Sequence, residues 1–253
     1  MTEPPPYVEG HGLLAGKTVV VTAAAGAGIG FATAQRCVEE GATVLLSDKH
    51  ERRLAEAGEA LGMPTVPCDV TDEASVQALM AGAVERLGRI DVLVNNAGLG
   101  GTAELVDMTD EQWHAVLDVT LNGTFRCTRA VLRHMYDRGE GVVVNNASVI
   151  GWRAQAGQAH YAAAKAGVMA FTRSTAMEAA RHGVRVNAVA PSLAVHPFLA
   201  KVTTEELLEE LAAREAFGRS AEPWEVANVI VFLASDYSSY LTGEVLSVSS
   251  QHP

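Results

Sequence analysis

Short β-branched runs alternate along almost the whole chain with longer alanine-rich stretches whose apolar residues recur at helical spacing. That alternation constrains the fold more than any other feature. Strands separated by helices pair in parallel, and a parallel sheet must be covered on both faces. The strand candidates are 17–22, 43–47, 64–68, 90–95, 141–146, 185–190 and 244–248. Helical candidates lie near 29–40, 50–61, 73–87, 111–137, 160–182 and 223–234, with an extra segment near 203–215. The expectation is an α/β protein built on one doubly wound parallel sheet of about seven strands. At 253 residues such a domain buries roughly 70–75% of its unfolded surface, enough for a single sheet core.

No 20–50-residue repeat and no Pro/Gly/Ser-rich linker divides the chain, so residues 13–253 read as one domain. The start, "MTEPPPYVEGHG", lacks the basic and apolar regions of a signal peptide and reads as a mobile arm over 1–12, with a cytoplasmic location expected. No run approaches the ~20 apolar residues of a membrane span. Nineteen basic against thirty acidic residues, a formal charge of −11, argue against nucleic acid or an anionic membrane as partner and leave a small molecule. Cys37, Cys68 and Cys127 lie far apart with no C-x-x-C or paired histidine spacing. They read as buried, reduced packing residues, and no metal site is expected.

The stretch "VVVTAAAGAGIG", 19–30, joins the first strand to the first helix. Glycines in such a turn permit close backbone approach, and the start of the helix directs free N–H groups and partial positive charge at a phosphate. Thr22, Ala24, Gly26, Gly28, Ile29 and Gly30 are the candidate residues, although the glycines are spaced by two rather than as G-x-G-x-x-G. Asp48 closes the next strand about twenty residues on, where a carboxylate can hold ribose hydroxyls and repel a ribose phosphate, favouring NAD over NADP. Its alternative role is to cap the following helix, and Lys49, His50 and Arg52 stand nearby.

In "SVIGWRAQAGQAHYAAAKAG", Tyr161 and Lys165 stand four apart in a helical stretch, hence on one face. A cation beside a phenol stabilises phenolate, so Lys165 is expected to lower the Tyr161 pKa and let it exchange a proton with an alcohol or carbonyl oxygen. Ser148, thirteen residues earlier, could bind the same oxygen. Five tyrosines and four lysines make one chance Y-x-x-x-K pair a ~0.08 event. Singly, each residue also has an ordinary role: Ser148 as a cap, Tyr161 as a core edge, Lys165 as a solvated helix residue.

These residues, with "CDVT" at 68–71, "NNAG" at 95–98, "RVNAVAP" at 185–191 and "LTGEVLSV" at 241–248, resemble the short-chain dehydrogenase/reductase family from Leu14 to Val248. The resemblance implies a Rossmann-like fold, hydride transfer at nicotinamide C4, and Tyr161 as the acid/base. It implies that Asp69 and Val70 border the adenine, and that Asn95, Asn96, Ala97 and Gly98 line the cofactor. Tyr161 and Lys165 also reach the cofactor, with Lys165 on the nicotinamide ribose; Pro191 and His196 lie at the nicotinamide end. A homotetramer is the assembly the family implies. The chain departs from the family pattern at Ala24 (a glycine in the family), Thr120 (an asparagine that supports a water beside the lysine), Ser192 (a glycine) and His196 (a threonine). Thr120 could take part of the asparagine's role.

Further stretches, "HGLLAGK", "NNASVIGWRAQ", "ASDYSSYLTGEV" and the ending "SVSSQHP", are similar to a branch of the family that works in steroid ring degradation. That branch implies NAD-dependent oxidation of a ring alcohol on a bicyclic hydroxy-indanone carboxyl-CoA thioester. Trp152, Arg153 and His196 are the substrate candidates, and the segment near 192–220 is read as a substrate lid. The alternatives are an NADPH-dependent 3-oxoacyl-thioester reductase and a non-catalytic NAD-binding sensor.

Overall fold

The structure is a computed structural model and describes residues 3–195 and 205–251, the side chains of 205–207 excepted. Among these residues seven strands form one sheet in the order β3-β2-β1-β4-β5-β6-β7, every neighbouring pair parallel. They are β1 (Thr18–Thr22), β2 (Thr43–Asp48), β3 (Thr65–Pro67), β4 (Val92–Asn95), β5 (Gly141–Asn146), β6 (Val184–Pro191) and β7 (Val245–Val248). The helices are α1 (Ile29–Glu39), α2 (Glu51–Leu61), α3 (Glu73–Leu87), α4 (Asp110–Leu117), α5 (Gly123–Arg138), α6 (Ala159–Ala179), α7 (Glu205–Ala213) and α8 (Pro223–Ala234). The doubly wound sheet inferred from the alternation is therefore the fold.

The period of two decides which helix covers which face. Val19, Val21, Val44, Leu46, Val92 and Val94 point into one core with α1, α2 and α8, through Cys37, Leu54 and Ile230. Val20, Leu45, Leu93 and Val143 point into the other with α3, α5 and α6, through Leu79, Met135 and Ala176. Burying each such leucine or isoleucine contributes ~1.5–3 kcal/mol, so both faces are specified by the same short runs. Cys37, Cys68 and Cys127 are free and buried, and burial raises all three thiols, Cys37 to about 12.

The stretch 111–137, expected as one helix, is two. A capping box of Thr109 and Gln112 starts α4, and a π turn over Asp118–Asn122 separates it from α5. Inside that turn the buried Thr120 hydroxyl turns to the Leu99 backbone, accepting from its N–H at 3.1 Å, and Thr124 Oγ1 donates to the Thr120 carbonyl at 2.8 Å. Hydroxyls inserted beside the backbone ladder widen the turn, which an apolar periodicity cannot register.

The N-terminal arm lies against α1. Tyr7 donates to Glu39 at 2.6 Å and stacks edge-on against Trp224, while Arg36 donates to the Val8 carbonyl at 2.7 Å. Glu40, 1% exposed, accepts from the N–H groups of His11 and Leu13 and from Arg36.

Candidate active site

The strand order reverses between β1 and β4, and both strands end there at their carboxyl edge, the place where open α/β sheets present their ligand crevice. Thr22, the last residue of β1, accepts through Oγ1 from the N–H groups of Asn96 and Ala97 at 3.0 and 3.1 Å. Asn96 returns its amide to the carbonyls of Thr22 and Ala23 at 3.2 and 3.1 Å. The turn is thus pinned to the β4 exit before α1 begins.

The left-handed step that a glycine would ease does not fall on Ala24. It falls one residue earlier, on Ala23 with φ of 50°, while Ala24 is fully buried and donates to the Ser47 carbonyl at 2.9 Å. Gly30 has the close approach: a Cβ there would stand 2.2 Å from the Ala23 carbonyl oxygen and 2.4 Å from Asn96 Nδ2. Gly28, extended, precedes Ile29 at the start of α1 and offers no side-chain cap, and the first turn carries no acidic residue. The helix end keeps its N–H groups and positive partial charge for an anion, which fits the pyrophosphate of a dinucleotide.

Asp48 is 8% exposed and does not cap α2, whose capping position is His50. Its carboxylate accepts from His50 N–H at 2.9 Å and from Ala25 N–H at 3.3 Å. It therefore stands between the glycine turn and the start of α2, on the β2 side of the crevice. Asp69 accepts twice from Thr71, through the backbone N–H and Oγ1, and these bonds hold its carboxyl below the usual range. Val70 packs so tightly on Gly123 that a Cβ there would meet it at 2.7 Å.

Asn95 and Asn96 behave differently from each other. Asn96 serves the turn, whereas Asn95 is 3% exposed and donates inward to Thr128 and Asn145, both at 2.9 Å. Asn145 in turn donates to Thr172 on α6 at 2.9 Å. This buried chain joins β4, β5, α5 and α6, and it fixes the height of α6 against the sheet.

Ser148 caps the 3₁₀ turn Val149–Gly151 after β5, accepting from Ile150 N–H at 3.2 Å. Its hydroxyl lies close enough to the Tyr161 phenol to act against the effect of burial on it. Tyr161 stands in the first turn of α6, half-buried, and Lys165 follows one turn later, 3% exposed. The Lys165 ammonium donates to the Asn146 carbonyl at 2.6 Å and lies 5.6 Å from the centre of the Tyr161 ring. Gly98 closes over it: a Cβ at that glycine would stand 3.4 Å from Nζ and 3.8 Å from Thr120 Oγ1. The structure thus brings Ser148, Tyr161, Lys165, Gly98 and Thr120 together from four segments.

The expected lowering of the phenol pKa by Lys165 needs correction. Burial raises the Tyr161 pKa, with the Ser148 hydroxyl acting against it, and burial lowers Lys165 to about 8. The ammonium is bonded to a carbonyl and set toward the ring rather than against the hydroxyl, so desolvation governs both groups. Thr120, for its part, has its hydroxyl bonded to Leu99.

Two contacts carried no sequence signal because backbone groups make them: the Asn146 carbonyl that receives Lys165, and the Tyr161 N–H that donates to His160 Nδ1 at 2.9 Å. Trp152 is 42% exposed, and Arg153 donates to Gln251. Pro191 is buried at the end of β6. His196 and the stretch 196–204 of the expected lid lie outside the described residues. Among the described residues no helix is long and apolar enough to cross a membrane.

A parallel seven-stranded sheet with a glycine turn at its switch point, and Ser148, Tyr161 and Lys165 at its carboxyl edge, describes a nucleotide-dependent oxidoreductase. The family described as enoyl-(acyl carrier protein) reductase matches residues 23–250. A short chain dehydrogenase from Mycobacterium smegmatis, known as a crystal structure, is 56% identical with a TM-score of 0.89 and covers 100% of this chain and 99% of its own. The chain belongs to the short-chain dehydrogenase/reductase family, whose members use NAD(P). It is 63% identical, over 98% of each chain, to the (5R,7aS)-5-hydroxy-7a-methyl-1-oxo-2,3,5,6,7,7a-hexahydro-1H-indene-carboxyl-CoA reductase of Mycobacterium tuberculosis. It is also 42% identical to a 3-oxoacyl-[acyl-carrier-protein] reductase of Thermotoga maritima, over 93% of this chain and 97% of that one.

Proposed function

We propose that the protein interconverts a secondary ring alcohol and its ketone on a bicyclic hydroxy-indanone carboxyl-CoA thioester, with NAD as cofactor. The observation that carries the chemistry is Tyr161 in the first turn of α6 facing Ser148, with the buried Lys165 one turn on, its ammonium bonded to the Asn146 carbonyl. The substrate class rests on the 63% identical mycobacterial reductase. Bound NAD supplies the nicotinamide carbon that accepts or delivers hydride.

In the reducing direction Tyr161 donates its phenolic proton to the carbonyl oxygen, and Ser148 donates a hydrogen bond to the same oxygen. The raised phenol pKa keeps that proton available at neutral pH. In the oxidising direction the same phenol takes the alcohol's proton as phenolate. Lys165, held by the Asn146 carbonyl, bonds the ribose on the nicotinamide side of the cofactor. Gly28, Gly30 and the start of α1 receive the pyrophosphate, and Asp48 receives the ribose hydroxyls. Gly26, Asp69, Val70, Ala97 and Gly98 line the same crevice, with the buried Ala24 supporting the turn from behind. Homotetramer formation through α5 and α6 is supported by Phe125, 40% exposed, and Met177, 73% exposed, on those helices; light scattering after size exclusion tests it.

Tyr161→Phe is the decisive variant: NAD binding stays within twofold while turnover falls by at least ~10³-fold. Full turnover by that variant refutes the mechanism. A turnover screen with NAD against steroid-derived CoA thioesters and simple secondary alcohols tests the substrate, and preference for a plain alcohol removes the steroid reading. A second reading, an NADPH-dependent 3-oxoacyl-thioester reductase, is favoured by the surface cleft beside Asp48, in which Lys49, His50, Arg52 and Arg53 outnumber the one acidic residue, Glu51. Rates with NADH and NADPH separate the two.

A further inference from the structure

The chain after β7 reaches the loop that follows Ser148, through Arg153. Val248 accepts from Ser192 N–H at 3.1 Å, which carries the tail along the end of β6. The Gln251 side chain is then bonded at both ends: its carbonyl oxygen accepts from Arg153, and its amide nitrogen donates to Glu215 at 2.8 Å. The other Glu215 oxygen accepts from Ser250 Oγ at 2.8 Å and Ser250 N–H at 3.3 Å. Gln251 N–H donates to Ser249 Oγ at 3.0 Å, fixing the turn of the tail.

Glu215 lies just past the end of α7 and is only 4% exposed. A carboxylate buried that deeply needs its donors, and the tail provides three. Arg153 leaves the 3₁₀ turn that Ser148 begins, its own N–H bonded to the Val149 carbonyl at 2.9 Å. One side chain therefore ties together the Ser148 loop, the segment after α7 and the tail. Only a primary amide of this length can accept from a guanidinium on one side and donate to a carboxylate on the other. Glutamate would repel Glu215, lysine would repel Arg153, and asparagine is one methylene short.

We infer that Gln251 is a positioning residue that sets the separation between the Ser148–Tyr161 loop and the segment after α7. It thereby sets the fit of the substrate's bulk and leaves the chemistry at its reacting oxygen alone. The inference rests on the proposed placement of that oxygen at Ser148 and Tyr161.

The test uses full-length Gln251→Glu and Gln251→Ala. Hydrogen exchange on the cofactor-free protein should accelerate about fivefold or more in both 149–157 and 208–221. With the hydroxy-indanone carboxyl-CoA thioester, KM should rise about tenfold, the loss expected for a charge-assisted hydrogen bond. The kcat and the NAD Kd should stay within twofold. Faster exchange confined to 249–251, an unchanged KM, or a fall in kcat at constant KM overturns the inference. If the thioester is not turned over, the functional reading fails on its own, and the exchange measurement still decides whether Gln251 couples the two segments.

Discussion

Gly30→Ala tests how the cofactor turn is built. An ordinary van der Waals contact is about 3.4 Å, and the new Cβ would stand 2.2 Å from the Ala23 carbonyl oxygen, so the backbone must open by about 1.2 Å. Neither neighbour can yield cheaply. The oxygen belongs to a residue already in the left-handed region, and the second contact, Asn96 Nδ2, is committed to the Thr22 and Ala23 carbonyls. Overpacking of this kind costs ~1–3 kcal/mol, and losing the two amide bonds adds ~0.5–1.5 kcal/mol each. Replacing a helical glycine by alanine returns ~1 kcal/mol, leaving a net loss of ~1–5 kcal/mol. For a domain of this size that lowers Tm by about 2–20 °C. Because Gly30 lies in the first turn of α1, NAD affinity should fall at least tenfold. Calorimetric melting and titration with NAD measure both, with Gly100→Ala as the control, since a Cβ there meets nothing within 4 Å. A Gly30→Ala protein that melts within 2 °C of the parent and binds NAD normally would refute the reasoning.

Three further perturbations follow from the same geometry. Lys165 is held at about 8 by burial against ~10.4 for an unfolded lysine, so between those values only the unfolded chain carries the proton and stability rises with pH; Lys165→Met should abolish that rise in urea midpoints at pH 7.5 and 9.5, and an unchanged slope contradicts it. Asn145→Ala strips a fully buried amide from Asn95 and Thr172 and should cost ~2–4 kcal/mol with a parallel fall in kcat as α6 loosens; a loss under 0.5 kcal/mol in denaturant unfolding would exclude that role. Burial pushes the Glu40 carboxyl up, but the N–H groups of Leu13 and His11 with Arg36 outweigh it and hold it below its ordinary value. Its contribution is therefore full above ~4.3, the unfolded value, and lost as pH falls further. Glu40→Gln should cost ~3 kcal/mol at pH 7, flatten that acid limb and speed proteolysis within 3–12; unchanged cleavage would show the arm held elsewhere.

The seven strands and most helices were legible because burial on both faces of a parallel sheet leaves apolar, β-branched runs, and covering helices keep a 3.6-residue period. The Tyr161–Lys165 pair was legible for a related reason: four residues is one helical turn, so spacing alone puts both on one face. The division of 111–137 was not, since it goes with bonds from the hydroxyls of Thr120, in the turn, and Thr124, just after it, to backbone groups. Nor was the difference between Asn95 and Asn96, adjacent in sequence yet pointing one into the core and the other at the turn.

The sequence by itself determined the sheet, the strand-turn-helix that suits a dinucleotide, and the presence of a serine, a tyrosine and a lysine where they can meet, because these follow from local periodicity. The tertiary structure decided the rest. It moved the left-handed step to Ala23, turned Lys165 onto the Asn146 carbonyl, raised the phenol instead of lowering it, and joined Arg153, Glu215 and Gln251 across the end of the sheet. Each of these depends on desolvation, or on distances between residues from 19 to 98 apart in the chain, and no pattern along the chain encodes either.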